Sequence, residues 1–79
     1  TRYLATYWAD KNVRCNALGP GGVENGQPED FLNEVSSRIP MNRLAQSNEY
    51  QTTLIWMLSD ASSYLNGSII PVDGGRTAW

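Results

Sequence analysis

The sequence predicts an α/β fold: one βαβ unit of an open parallel sheet, with fewer strands than a complete sheet needs. Three observations predict this class. Helical periodicity is present at the first residues, two short apolar strands stand far apart in the chain, and the segment between them carries helical patterns. Because parallel sheets normally contain several strands and are covered on both faces, we expect the other strands outside these 79 residues or in another copy of the chain.

A helix end is predicted for residues 1–12. Leu4, Tyr7 and Trp8 recur at helical spacing, and no capping residue precedes them. Asn12 closes the pattern, since asparagine is common just past the end of a helix. The chain is therefore expected to enter this helix midway.

The two predicted strands cover residues 13–18 and 68–73. Apolar and polar side chains alternate along the first, and residues 19–22 end it, because Pro20 lacks an N–H and glycine adopts backbone angles barred to other residues. Pro71 removes a donor from the second, which makes it an edge strand. Strands joined through a helical connection should lie parallel, with a right-handed crossover.

The connection is predicted to contain a loop with a short helix, residues 19–46, and then a crossover helix, residues 47–61. Pro28 and the two acids after it suit a first helical turn, and the short helix should end before Pro40. Ser47 can cap the crossover helix. This helix is apolar on more than one side, so we expect one face on a sheet and another on a second subunit.

Composition and charge exclude several classes of function. A net charge of −2 without runs of either sign predicts neither nucleic-acid binding nor membrane-surface binding. The longest apolar run, residues 54–58, is far shorter than the ~20 residues of a membrane span, and no signal-peptide pattern opens the chain. With no histidine and one cysteine, Cys15, neither a metal site nor an internal disulfide is expected. These features predict a soluble cytoplasmic protein, with Cys15 as an inert core thiol.

Four motifs occur in an order that is typical of one protein family. They are Asn12–Gly22 (NVRCNALGPGG), Ile39–Leu44 (IPMNRL), Leu58–Tyr64 (LSDASSY) and Asn66–Gly75 (NGSIIPVDGG). In this order and spacing, over the whole chain, the sequence resembles the C-terminal third of the short-chain dehydrogenase/reductase family. The segment Tyr3–Trp8 and the final Trp79 are similar to members of bacterial surface-sugar or flagellin-modification pathways.

This resemblance implies a doubly wound parallel-sheet Rossmann fold, of which the chain holds the C-terminal βαβ portion, and a cofactor, NAD or NADP. It implies that the loop after Pro20 and Gly21 lines the nicotinamide, where glycine lets a ring approach the main chain closely. Val23 would meet the carboxamide through its backbone, and Asn25 stands where members usually carry a threonine or serine hydroxyl. Residues 24–41 would form a lid over the substrate, and a mobile surface loop is an equally good interpretation of the same segment. On spacing alone, an ordinary turn is the better interpretation of the glycine-containing loop.

No catalytic residue is assigned within the chain. Tyr7 and Lys11 have the Tyr-x-x-x-Lys spacing that the family uses for proton transfer, but they lie too close to the first strand. We therefore expect Tyr7 in the core and Lys11 at a solvated helix end, and the catalytic serine, the true tyrosine–lysine pair and the phosphate loop before Thr1. Arg43 is expected to anchor the lid to carboxylates, and Asp73–Gly75 is interpreted as a structural turn rather than a metal site.

The function expected from these observations is that of a longer parent protein. The chain would be a fragment of an NAD(P)-dependent oxidoreductase that transfers a hydride to or from a carbonyl or alcohol of a small-molecule substrate, and would be inactive by itself. It would form a homo-oligomer through the 47–61 helix and the 68–73 strand. The alternative is a stand-alone oligomerising interaction module with no catalytic activity, which would leave NAD and NADP unbound.

Overall fold

The computed structural model describes all 79 residues, in the order helix, strand, helix, helix, strand. The α-helices are α1 (Arg2–Tyr7), α2 (Glu29–Ser36) and α3 (Gln51–Leu58), and the strands are β1 (Ala17–Pro20) and β2 (Ile69–Val72). Short 3-10 turns lie at Ala9–Lys11, Ser47–Tyr50, Asp60–Ser62 and Arg76–Ala78.

β1 and β2 form a parallel pair, which confirms the predicted βαβ unit. Ala17 lies opposite Ile69, and Pro20 lies opposite Val72. The chain leaves the carboxyl end of β1, passes through α2 and α3, and returns to the amino end of β2. Because parallel strands are normally buried within larger sheets, this pair is one portion of an α/β sheet.

β1 begins later than the strand predicted over residues 13–18. The segment beside its predicted beginning is a turn, so a single backbone bond, from the Gly67 N–H to the Cys15 carbonyl at 2.9 Å, is made there and the other contacts use side chains. The Cys15 N–H donates to Oδ1 of Asn66 at 3.0 Å, and the Ser68 N–H donates to Oδ1 of Asn16 at 3.0 Å. Side-chain amides therefore take the place of a backbone ladder before β1 starts.

Pro20 lies inside β1 rather than ending it. The Ala17 N–H donates to the Ser68 carbonyl at 2.9 Å, and the Gly21 N–H donates to the Val72 carbonyl at 3.1 Å. Alternate residues of a strand face the same neighbour, so the nitrogen of Pro20 points away from β2 and no ladder bond is lost. The predicted stop at this proline is therefore wrong.

The crossover helix predicted over residues 47–61 is divided into parts. A 3-10 turn precedes α3, and Ser59 ends α3 because its backbone is extended (ψ 166°) and its hydroxyl caps a further 3-10 turn. The cap at the beginning is Gln46 rather than the predicted Ser47. The Gln46 N–H donates to the Glu49 carboxylate at 2.8 Å, which places Gln46 just ahead of the first turn.

The first helix is docked on the turn that precedes β2. α1 stops at Tyr7, a 3-10 turn follows, and Asn12 adopts the left-handed conformation (φ 60°) that asparagine tolerates better than most residues. Ala5 is the buried residue of α1. The Ala5 carbonyl accepts a hydrogen bond from Nδ2 of Asn66 at 2.9 Å. A Cβ added to Gly67 would lie 3.3 Å from the Cβ of Ala5.

Arg14 joins the segment before β1 to the end of α3. Its Nη1 donates to the carbonyls of Ser62 (2.8 Å) and Leu65 (3.2 Å), and its Nη2 donates to those of Met57 (3.1 Å) and Ser59 (3.2 Å). The last carbonyls of a helix have no partner within the helix, and a cation there complements the helix dipole. One guanidinium therefore satisfies both the end of α3 and the turn that follows it.

The interior of the chain is small. Its buried residues are Ala5, Ile39, Leu44, Tyr50, Met57 and Ser62. The accessible surface is 5926 Å², whereas a compact protein of 8.8 kDa exposes about 4,800 Å². The radius of gyration is 15.4 Å, against about 12 Å for a compact domain of this length. The chain thus exposes surface that a compact domain of its size would cover.

None of the helices has the length and apolarity that crossing a membrane requires.

Candidate functional site

The carboxyl ends of β1 and β2 lie side by side, at the edge where open α/β sheets bind ligands. Gly21 follows β1 and donates its N–H to the Val72 carbonyl at the end of β2. A Cβ on Gly21 would lie 2.9 Å from the Cα of Asp73, closer than a side chain can approach a backbone. Gly21 is therefore required by the close packing of the two strand ends.

Gly22 is exposed, but one side of it lies against a buried side chain. A Cβ at this position would lie 3.4 Å from both Cγ and Cδ2 of Leu44, which is a buried side chain. The missing side chains of Gly21 and Gly22 thus make room for Asp73 and Leu44. The sequence did not indicate this packing role. It suggested instead that the glycines let a ring approach the main chain.

Val23 is held by a parallel bridge to Ala45. The Ala45 N–H donates to the Gly22 carbonyl at 2.9 Å, and the Glu24 N–H donates to the Ala45 carbonyl at 2.8 Å. Because successive residues of an extended chain face opposite sides, the N–H and carbonyl of Val23 point away from Ala45. The carbonyl accepts a hydrogen bond from Gln27, whereas the Val23 N–H donates to no group of this chain. A free main-chain donor therefore lies just beyond the carboxyl end of β1.

The other two predicted site residues, Pro20 and Asn25, are exposed. The Asn25 N–H donates to Oε1 of Gln27 at 2.6 Å, and the Asn25 side-chain amide makes no hydrogen bond within the chain. Of the four residues predicted to contact the cofactor, Gly21 and Val23 are fixed by neighbouring segments. The Asn25 side chain remains available to a ligand.

Gln27 is a residue of this loop that the sequence analysis missed. Its Nε2 donates to the Val23 carbonyl at 2.9 Å, and its Oε1 accepts the hydrogen bond from Asn25. Gly26 has a φ of 72°, a left-handed conformation that turns the chain back on itself. The Asn-Gly dipeptide is a turn signal that could have located this bend, but a lone glutamine after it does not indicate which backbone groups it binds.

Arg43 binds Glu49 with two parallel hydrogen bonds. Nη1 lies 2.6 Å from Oε1, and Nη2 lies 2.9 Å from Oε2. The hydrogen bond from Arg43, followed by the one from the Gln46 N–H, lowers the pKa of Glu49 to about 2. The same pairing raises the pKa of Arg43. Arg43 thus ties the segment after the predicted lid to the turn that begins the helical crossover, as expected from the sequence.

A cavity of about 120 Å³ lies between the end of β2, the segment after the lid and Tyr50. The Tyr50 hydroxyl is buried and has no hydrogen-bond partner. The volume is enough for water but well below the roughly 300–1,000 Å³ of pockets that enclose small-molecule ligands. A nicotinamide is therefore too large to bind inside this cavity.

The segment Asp73–Gly75 forms a structural turn after β2. Asp73 was predicted inside the last strand, but its carboxylate accepts hydrogen bonds from the Gly75 N–H (3.0 Å) and from the N–H (3.1 Å) and hydroxyl (2.7 Å) of Thr77. The hydrogen bond from the Thr77 hydroxyl is the main cause of a lowered pKa of Asp73. Gly74 has a φ of 66°, and a Cβ there would lie 2.8 Å from Cγ2 of Ile39. The turn is packed tightly on the end of the predicted lid.

Tyr7 and Lys11 do not form a catalytic arrangement in this chain. Tyr7 is 61% exposed and stacks on Tyr3 with ring centroids 5.8 Å apart, so the prediction that it lies in the core is wrong for this chain. The residue of α1 that is buried is Ala5 instead. Because α1 ends at Tyr7 and Lys11 lies in the 3-10 turn beyond it, the two residues do not share one regular helical face.

Comparison with known proteins agrees with this architecture. Residues 1–77 match the family model described as Enoyl-(Acyl carrier protein) reductase. A tropinone reductase homolog of Arabidopsis thaliana is 38% identical over 82 residues, which cover 96% of this chain and 30% of the relative. The NADH-dependent L-xylulose reductase of Ambrosiozyma monospora is 39% identical, over 96% of this chain and 31% of the relative. The chain spans about a third of the length of the curated relatives it matches.

A solved structure gives the same result at the level of the fold. The short-chain dehydrogenase of Leptospira borgpetersenii with bound NAD+ has a TM-score of 0.93 and 31% identity, over 98% of this chain and 30% of that one. The parallel βαβ unit and this match define the class, a portion of a Rossmann-fold α/β protein. The chain belongs to the short-chain dehydrogenase/reductase family.

Proposed function

We propose that this chain is the nicotinamide-side part of an NAD(P)-dependent oxidoreductase that transfers a hydride to or from a carbonyl or alcohol of a small-molecule substrate. The observation that carries the proposal is the free Val23 N–H beyond the carboxyl end of β1, in a chain of the dehydrogenase/reductase family. Ligands of open α/β sheets bind at this edge. The Leptospira structure contains NAD+ and the Ambrosiozyma enzyme is NADH-dependent, which supports a nicotinamide cofactor.

The residues at this edge fit a nicotinamide ring. The Val23 N–H can donate to the carboxamide oxygen, and the Asn25 amide can donate from the position where other members of the family carry a hydroxyl. Pro20 and Gly21 set the direction in which the chain leaves the sheet toward Val23. The bound cofactor would supply or accept the hydride, and these residues would bind and orient its ring.

The chain by itself is proposed to be inactive. None of its residues is assigned to proton transfer, and the glycine-rich phosphate loop and the catalytic serine, tyrosine and lysine are expected in the part of the parent that this chain does not cover. A purified chain of these 79 residues that reduced a carbonyl with NADPH would overturn this part of the proposal.

Titration of the full-length parent with NADH and NADPH tests the cofactor assignment. Binding should quench tryptophan fluorescence, and addition of a carbonyl substrate should consume the bound reduced cofactor. A folded parent that bound neither dinucleotide would contradict the proposed function.

A homo-oligomer is proposed to form through the helical segment 47–61 and the strand segment 68–73. Two side chains of α3, Ile55 and Leu58, are 66% and 81% exposed, and β2 has one unpaired edge. Exposed apolar patches and free strand edges favour association. The same surface favours the second candidate function, a stand-alone oligomerising module, which would self-associate and leave both dinucleotides unbound.

We further propose that the parent is a cytoplasmic enzyme of bacterial surface-sugar or flagellin modification. The aromatic segment Tyr3–Trp8, the final Trp79 and the free thiol of Cys15 support this assignment. Cell fractionation and an assay with carbonyl-bearing nucleotide sugars test it. Turnover restricted to unrelated alcohols, or a secreted protein, would contradict it.

A further inference from the structure

The loop that presents Val23 is held from two sides. On one side, Ala45 exchanges hydrogen bonds with the Gly22 carbonyl and the Glu24 N–H. On the other side, the Gln27 side chain binds the Val23 carbonyl at 2.9 Å and the Asn25 N–H at 2.6 Å. Gln27 is half-buried, although the residues on either side of it are exposed.

The hydrogen bonds of Gln27 decide which backbone groups of the loop remain available. Its amide nitrogen donates to the Val23 carbonyl, and its amide oxygen accepts from the Asn25 N–H. The Val23 N–H is a donor of this turn that is left without a partner. The loop therefore offers a donor, which suits an acceptor on the ligand such as a carboxamide oxygen.

Gln27 also connects this loop to α2, the helix of the predicted lid. It directly precedes Pro28, which caps α2, and the Pro28 carbonyl accepts a hydrogen bond from the Leu32 N–H at 3.0 Å. Gln27 is thus the residue next to the start of this helix, while its side chain holds Val23.

We propose that Gln27 is a positioning residue for the nicotinamide, which holds the loop so that the Val23 N–H faces the carboxamide. This inference rests on the proposed function. The role is one of orientation, because both ends of the Gln27 amide are bound within the loop, the nitrogen to the Val23 carbonyl and the oxygen to the Asn25 N–H.

The test uses the full-length parent and three variants, Gln27→Ala, Gln27→Glu and the control Gln51→Ala, whose side chain is exposed on α3 without a hydrogen bond. Two ligands are titrated: the dinucleotide that the unsubstituted parent binds, and the matching ADP-ribose with or without the 2′-phosphate, which lacks the nicotinamide. Thermal unfolding of each variant is recorded alongside.

Gln27→Ala should weaken binding of the dinucleotide by about 3- to 30-fold, the equivalent of one or two lost hydrogen bonds, and leave ADP-ribose binding unchanged. Gln27→Glu should weaken dinucleotide binding at least as much, because a carboxylate cannot donate to the Val23 carbonyl. Gln51→Ala should change neither affinity.

Three outcomes overturn the inference. Equal losses for both ligands would show a general structural effect, and unchanged dinucleotide binding in Gln27→Ala would show no effect on the nicotinamide. Full affinity in Gln27→Glu would exclude the hydrogen bond to Val23 as the cause. An unsubstituted parent that binds neither ligand rejects the proposed function itself, and the role of Gln27 with it.

Discussion

Single polar side chains hold distant segments of this chain together. The amide of Asn16 donates to the Leu65 carbonyl at 3.0 Å and accepts from the Ser68 N–H at 3.0 Å, so it joins both sides of the turn before β2. Arg14 does the same for the end of α3. Because few apolar residues of this chain are buried, these hydrogen bonds contribute much to fixing how its segments are arranged.

Arg14→Lys should therefore destabilise the parent, by about 2–3 kcal/mol. A lysine ammonium has three donors at one point and cannot reproduce the planar fork that reaches the carbonyls of Met57, Ser59, Ser62 and Leu65. Chemical denaturation measures the change in the free energy of unfolding. The control is Arg76→Lys, at an exposed arginine without a hydrogen bond, and equal effects at both sites would contradict this role of Arg14.

The pairing of Glu49 with Arg43 makes stability depend on acid pH. The pKa of Glu49 is about 2 in the folded chain against an ordinary 4.5, so the pairing stabilises the folded state fully above pH ~4.5. This contribution is lost as the pH falls from there through about 2. We expect Glu49→Gln to lower the free energy of unfolding at neutral pH, and the difference from the unsubstituted parent to shrink over that range.

The control for this measurement is Glu34→Gln. Glu34 forms an exposed ion pair with Arg38 at 3.0 Å within α2, and exposed pairs of this kind contribute little. Denaturation at pH 6, 4 and 2.5 separates the two sites. A difference for Glu49→Gln that stayed constant down to the lowest pH would contradict the assignment.

At the scale of elements, two turns of the chain depend on glycine for different reasons. Gly74 and Gly26 both have left-handed backbones, with φ of 66° and 72°. A Cβ on Gly74 would also lie 2.8 Å from Ile39, whereas a Cβ on Gly26 would meet nothing within 4 Å. The turn after β2 is therefore constrained by packing, and the turn before α2 only by its own conformation.

Gly74→Ala should consequently cost more stability than Gly26→Ala. Backbone strain alone should cost about 1 kcal/mol at Gly26, and strain plus displacement of Ile39 about 2–4 kcal/mol at Gly74. Urea denaturation of the two variants of the parent gives the comparison. Equal losses would show that the contact with Ile39 relaxes without cost.

The boundaries of the elements were harder to predict than their order. The alternation before β1 and the glycines after it are local signals, and they indicated a strand over 13–18. Whether a residue joins the ladder depends on what lies beside it, and beside residues 14–16 lies the turn at Asn66. Pro20 extends the strand because its nitrogen faces away from β2.

At the scale of the whole molecule, the exposed apolar surface should drive self-association. Ile55, on the helical segment proposed to form the homo-oligomer, is 66% exposed in this chain. We expect the parent to sediment as a dimer or larger, and Ile55→Lys to weaken its association at least ~10-fold because a charge would be buried at the contact. The control is Asn33→Lys, at an exposed polar position of α2, outside the proposed contact. A compact monomer at micromolar concentration would contradict the prediction.

The sequence by itself determined the class of this protein: two strands with helices between them, a parallel pairing, and membership of a family that its four motifs already resembled. These properties follow from the periodicity, turn residues and motifs of neighbouring positions, which can be found along the chain. Only the tertiary structure decided that Gly21 makes room for Asp73 and that Gln27, rather than a residue of the family motif, holds Val23. Such contacts depend on how closely segments that are distant along the chain approach in space, which the pattern of neighbouring positions does not indicate.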